Sequence, residues 1–164
     1  MARTVCYIQE QGYNTREDLA AKLDDVSAKL NEARKTLRAT QDRIKELNEQ
    51  IHFVGQYQAH KSIQGQFLNA RNKKKYRQEH RSELGLYDAG VTYIKEHFAG
   101  NVPSLKALKA ERNQLLQMKD AQSGTYQYFK DYQKELRTAS SNVDTILGID
   151  RSRTQDREKA QDIS

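Results

Sequence analysis

From Leu19 onward, apolar side chains recur at alternating steps of four and three. The series is Leu19, Leu23, Val26, Leu30, Ala33, Leu37, Thr40, Ile44, Leu47, Ile51 and Val54, and ten of these eleven sites are apolar. An average step of 3.5 residues keeps one stripe along a helix, and that stripe must be buried against another helix. Lys22, Asp24, Asp25, Lys29, Glu32, Arg34, Lys35, Asp42, Arg43, Lys45, Glu46 and Glu49 fall between the stripe positions and suit wet faces. The chain has a single proline, Pro103. Proline breaks helices by removing an N–H donor and clashing with the preceding turn, so a chain nearly without it can run in long helices. No strand-like alternation is present. The expected fold is all-α: an elongated antiparallel helical bundle or coiled coil, with two long helices and a shorter middle helix.

The clearest break is Gly100-Asn101-Val102-Pro103-Ser104. Gly100 can take the left-handed position past a helix end, and Ser104 can cap the next start. Gly12 precedes another start, where Asn14 or Thr15 can cap and Glu17 and Asp18 suit the first turn. Residues 4–11 are expected as a short leading helix, which sets aside 1–14 from a helical domain over 15–149. Past Val54 the stripe loosens, with Gly55 and Gly65 present and Phe53, Tyr57, Ile63, Phe67 and Leu68 off the former register. The helix is expected to continue to about Ala70, followed by a basic turn. Leu84, Tyr87, Val91, Ile94 and Phe98 then mark the middle helix, which contains Gly85 and Gly90.

Beyond Pro103 the same spacing runs from Leu105 to Leu147. Leu105, Leu108, Leu115, Tyr126, Phe129, Leu136, Val143 and Leu147 are its apolar sites, while Arg112, Lys119, Gln122, Gln133 and Ser140 interrupt it. This imperfect seam is expected to pair antiparallel with the first. Gly148 ends the pattern. Residues 150–164 carry too little apolar surface to offset ordering entropy, so they read as a flexible tail or a solvated helical extension.

Composition narrows the chemistry. Of the 164 residues 36% are hydrophobic, below the roughly 45–50% of ordinary globular domains, which suits thin helical seams. No apolar run approaches the ~20 residues of a membrane span, and no signal-peptide pattern is present, so membrane insertion is not expected. Cys6 is the only cysteine, which fits a reducing cytosol and leaves no disulfide framework. Among His52, His60, His80 and His97 no pair has the i, i+4 spacing that aims two imidazoles at one metal. Cys6 lacks a placeable base, Asp24–Asp25 lies outside the stripe, and no phosphate loop or nucleophile motif occurs. The chain is expected to be non-catalytic, with no cofactor and no metal.

The formal charge is +6, and most of it sits in one place. Residues 71–81 hold six basic residues and one acid, whereas the rest of the chain has 22 basic against 21 acidic. A basic run with an embedded aromatic supplies what phosphate binding and base stacking need. Arg71, Lys73, Lys74, Lys75, Tyr76, Arg77 and Arg81 are therefore the candidate nucleic-acid contacts, and such contacts would be non-specific. The alternatives are a solvated junction or a dock for an acidic partner. Tyr126 and Phe129 fall on the second seam and read as core.

Several segments resemble a known family. They are Thr15-Arg16-Glu17-Asp18-Leu19, Lys74-Lys75-Tyr76-Arg77-Gln78-Glu79-His80-Arg81-Ser82-Glu83-Leu84, and the pairing of Leu105–Glu111 with Asn142–Gly148. In this order and spacing they resemble the helical C-terminal region of relaxase/mobilisation proteins from conjugative elements of Gram-positive bacteria. The resemblance implies an interaction domain that docks accessory or transfer-machinery proteins, or DNA. That family's strand-nicking tyrosine and histidine cluster have no counterpart here. A self-associating coiled coil, such as a homodimer through the Leu19–Val54 seam, is the competing reading.

Overall fold

The computed structural model describes the backbone of residues 16–162 and the side chains of residues 16–146. Every secondary-structure element among the described residues is a helix: α1 (Arg16–Ala59), α2 (Lys61–Asn69), α3 (Lys73–Glu79), α4 (Arg81–Phe98) and α5 (Leu105–Asp162). The expected leading helix over 4–11, the caps Asn14 and Thr15, and Cys6 lie outside the described residues. The residues form two compact units, one up to Leu37 and from Gln122 onward, the other Arg38–Ala121. Both α1 and α5 contribute to each.

In the first unit the heptad stripes meet. Leu19, Val26, Leu136 and Ala139 are buried together, flanked by Leu23, Phe129, Tyr132 and Val143. Arg16 pairs with Asp144 at 2.6 Å, and Gln133 Nε2 donates to Ser27 Oγ at 2.9 Å. Rising numbers on α1 therefore face falling numbers on α5, so the pair is antiparallel. Leu19 and Leu136 are at most 1% exposed, and burial of each leucine contributes roughly 1.5–3 kcal/mol.

In the second unit the core is Leu47, Val54, Ile94 and Leu108, backed by Ile51, Tyr57, Phe98, Leu105 and Leu115. Phe53 stacks on Tyr93 with centroids 4.4 Å apart, and Tyr57 on Tyr87 at 5.3 Å, so α4 also runs against α1. Gly90 is where the two backbones come closest. A Cβ built there would lie 2.8 Å from the Phe53 carbonyl oxygen and 3.1 Å from the Tyr57 nitrogen. Further along, Arg43 Nε and Nη2 donate to the two carboxylate oxygens of Glu111 at 3.0 and 3.2 Å. Glu111, and then Glu46, hold the Arg43 guanidinium above its ordinary value.

The linker between α4 and α5 has its own geometry. Ala99 takes the left-handed conformation at φ 51°, Gly100 follows at φ 82°, and the Gly100 N–H reaches back to Ile94 O at 3.2 Å. Ser104 Oγ accepts from the Ala107 N–H at 3.2 Å, as expected for the cap of α5. From the Phe53–Tyr93 level to the Arg43–Glu111 level, α1 advances ten residues while the facing chain uses eighteen. The helical residues Tyr93–Phe98 and Leu105–Glu111 already cover an equal rise at ~1.5 Å per residue. Residues 99–104 therefore leave the α4–α5 path and rejoin it at nearly the same level, with Val102 exposed on the excursion.

The structure corrects several expectations. The helix expected to run on to about Ala70 is interrupted at His60, whose φ of -107° and ψ of 7° leave the α region. The hydrogen-bond ladder still crosses this kink, from His60 N to Gln56 O and from Gln64 N to His60 O. The basic turn is confined to residues 70–72, and the rest of the run is the helix α3. The middle segment thus holds three helices, α2, α3 and α4, packed on one another. Past Gly148, where the apolar pattern stops, the backbone of α5 continues as helix to Asp162.

Candidate nucleic-acid interface

The seven candidate residues span the end of α2–α4. Arg71 lies in the turn, Lys73, Lys74, Lys75, Tyr76 and Arg77 lie on α3, and Arg81 opens α4. The six cations are all exposed. Among the described residues only Lys75 of these has an ion-pair partner, Glu79 at 3.9 Å.

A seven-residue helix with three lysines in its first turn opposes its own dipole and is too short to persist alone. Several contacts hold it. Asn72 caps it, its side chain accepting from Lys75 N at 3.0 Å. Tyr76 leans against the Phe67 ring at 6.3 Å and the His80 ring at 4.2 Å. Its hydroxyl donates to Gln66 Oε1 at 2.8 Å. At the far end His80 Nδ1 meets Glu83 at 2.7 Å, and Arg77 lies over the Phe67 ring at 5.1 Å.

Sequence reading offers the Tyr76 ring to a nucleic-acid base; in the structure that ring and hydroxyl pin α3 onto α2. Asn72, Gln66, Phe67 and His80 carry the support and do not stand out in the sequence. Asn72 alone leaves a local signal, a capping residue ahead of a helical run. The Phe67–Tyr76 contact crosses between helices and has no periodic signature.

The angular placement on α3 sorts the cations. At 100° per residue Lys73 lies about 20° and Arg77 about 60° from His80, so both flank the side anchored by Tyr76 and His80, whereas Lys74 and Lys75 lie about 100° or more from both anchors.

The other histidines are engaged locally. His60 is hydrogen-bonded to Gln56 at 3.1 Å, His97 Nδ1 donates to the Tyr93 carbonyl at 3.1 Å, and His52 meets Phe53 edge-on. No cluster of three or more His, Cys, Asp or Glu side chains able to hold a metal occurs among the described residues. None of their helices is long and apolar enough to cross a membrane. A separate open groove of about 560 Å³ runs beside α5, lined in part by Lys130, Asp131, Lys134 and Arg137. Neither a known family, nor a characterised protein, nor a solved structure matches this chain.

Proposed function

We propose that this chain is a non-catalytic helical interaction module whose basic tip, residues 71–81, holds the phosphate backbone of nucleic acid. The observation that carries the reading is the basic run itself: its six cations are all exposed, and among the described residues only Lys75 has an ion-pair partner. The helix α3 already orders the backbone of Lys73–Arg77, so phosphate binding there costs no further backbone ordering. The resemblance to relaxase C-terminal regions makes DNA in transfer the nucleic acid of first interest. It makes an accessory or transfer-machinery protein the candidate for docking along the helices.

The test is fluorescence anisotropy of a labelled DNA against the full chain at increasing salt. Affinity should fall linearly on a log–log plot, and Lys73→Ala, Lys74→Ala and Arg77→Ala should each weaken it. Salt-insensitive affinity, or affinity unmoved by these substitutions, refutes the reading.

A second reading, a self-associating coiled coil, draws on the exposed Leu116, Met118 and Tyr128 of α5, which are 41%, 50% and 62% exposed. Against it, the stripes already bury each other within one chain. Light scattering across a concentration range separates the two, since the module requires no dimer.

A further inference from the structure

We infer a second nucleic-acid contact on the first unit, a phosphate-binding stripe of Lys130, Lys134 and Arg137 along α5. The inference rests on the nucleic-acid reading above for its ligand, but not on the tip for its residues. Steps of four and three return to nearly the same face of a helix, so at 100° per residue the three cations share an arc of about 60°. That arc lies about 100° or more from Leu136 and Ala139, which α5 buries in the core of this unit. All three cations are exposed, and none has an ion-pair partner among the described residues. Lys130 lies over the Tyr126 ring at 6.0 Å.

The acids of the same stretch do not neutralise the stripe. Asp131 sits about 60° or more around the helix from each cation and accepts from Gln127 Nε2 at 2.8 Å. Glu135 sits about 100° or more away. Asp144, the next acid near the cationic arc, holds Arg16. The open groove of about 560 Å³ runs along this face, and Ser141, on the same arc, lines it with a hydroxyl that can donate to phosphate.

The chemistry of the face selects the class of ligand. Protein partners are held by a buried aromatic or aliphatic anchor, and interfacial membrane helices bury a broad apolar face. Among the described residues no apolar side chain lines the groove. Tyr128, the exposed large apolar side chain nearest in sequence, sits about 120° or more around the helix from each cation. Charge and a hydroxyl are left, and these hold a phosphate backbone, where each neutralised phosphate releases counterions without apolar burial.

The groove and the tip belong to different units, so each set of cations can be removed alone. The full chain is titrated into a short labelled DNA duplex at several salt concentrations. The variants are Lys130→Ala/Lys134→Ala/Arg137→Ala, Lys73→Ala/Lys74→Ala/Lys75→Ala, and the two sets combined. Three lost phosphate contacts should lower the magnitude of the log–log salt slope by about 2.7 in the α5 variant. The tip variant should keep salt-dependent binding, and the combined variant should lose it. Alanine favours helix and these side chains are exposed, so circular dichroism should show every variant as helical as the wild type. A labelled poly-glutamate chain should bind more weakly than the duplex.

A slope unmoved by the α5 substitutions, or a tip variant that no longer binds, overturns the inference and leaves the tip reading in place. A loss confined to the α5 variant sustains the inference and overturns the tip. Poly-glutamate bound as tightly as the duplex overturns the choice of nucleic acid. A wild-type chain without salt-dependent DNA binding overturns both the inference and the function it rests on.

Discussion

Replacing Gly90 with alanine tests the packing of α4 on α1, because the expected sign of the effect opposes helix propensity. In a free helix, Gly→Ala gains up to ~1 kcal/mol. At Gly90 the new Cβ would meet the Phe53 carbonyl oxygen at 2.8 Å, about 0.6 Å inside ordinary van der Waals contact. The obstacles at 2.8 and 3.1 Å are backbone atoms of α1, so no rotamer change relieves them. The helix α4 must back away instead. A radial gap of 0.5–1 Å forfeits about a quarter to a half of each contact's well depth, and the Phe53–Tyr93 and Tyr57–Tyr87 stacks lie on that interface. Overpacking of this kind costs about 1–3 kcal/mol, so the net loss after the propensity gain is up to about 2 kcal/mol.

Gly85, on the same helix, is the control, because its added Cβ would meet nothing within 4 Å. Thermal melts followed by circular dichroism at 222 nm and in the tyrosine near-ultraviolet band measure both variants. Each kcal/mol moves a midpoint by roughly 4–8 °C for a unit of this size. Gly85→Ala should raise the midpoint, and Gly90→Ala should lower it and weaken the tyrosine band. A Gly90→Ala protein as stable as Gly85→Ala would refute the close approach of the two helices.

Other substitutions probe the cores and a buried hydroxyl. Leu136→Ala in the first unit and Leu47→Ala in the second, both 0% exposed, should each cost about 2–5 kcal/mol in urea melts, whereas Leu68→Ala, 59% exposed, should change stability by under about 0.5 kcal/mol. Tyr93 OH is buried with no hydrogen-bond partner, so Tyr93→Phe should be neutral or stabilising; a clear loss would reveal a hidden partner. Burial, then Glu49 and Glu46, hold the Tyr93 phenol above its ordinary value of 10.0. A phenol raised in the folded state adds stability that is present below its unfolded value and lost as pH rises through the folded one. Burial likewise raises the Tyr87 phenol, so absorbance titration at alkaline pH should show at least two late-titrating tyrosines, one of which is lost in Tyr93→Phe.

The two long helices were legible because their burial is periodic. All eleven stripe positions of α1 are buried or half-buried, including the polar Thr40 at 7% exposure. On α5 the interrupting residues Arg112, Lys119, Gln122, Gln133 and Ser140 are half-buried as well, so even the imperfect seam marks the inner face. What was not legible depends on a third neighbour. Gln50 and Tyr93 are buried beyond the expected stripes, because α1 receives α4 on a different flank. Phe53 and Tyr57 look off-register for the same reason. The kinks at His60 and His80 have no proline or glycine to announce them. At the tip, the cations were legible as charge and Tyr76 as an aromatic. The ring's commitment was not, since Phe67 and Gln66 reach it from another helix.

The excursion at residues 99–104 has a consequence for how this chain tolerates change. In a paired helix, each inserted residue rotates everything after it by about 100°, which swings the buried stripe away from its partner. Residues added or removed outside the paired path rotate nothing. The segment from Ala99 to Ser104 therefore acts as a phase insulator: α4 can answer to the tip and α5 to its own seam, with no shared register to preserve. Length variation and grafted peptides are tolerated there first, beside the exposed Val102, while the same insertion a few residues into α5 would shift the stripe that begins at Leu105.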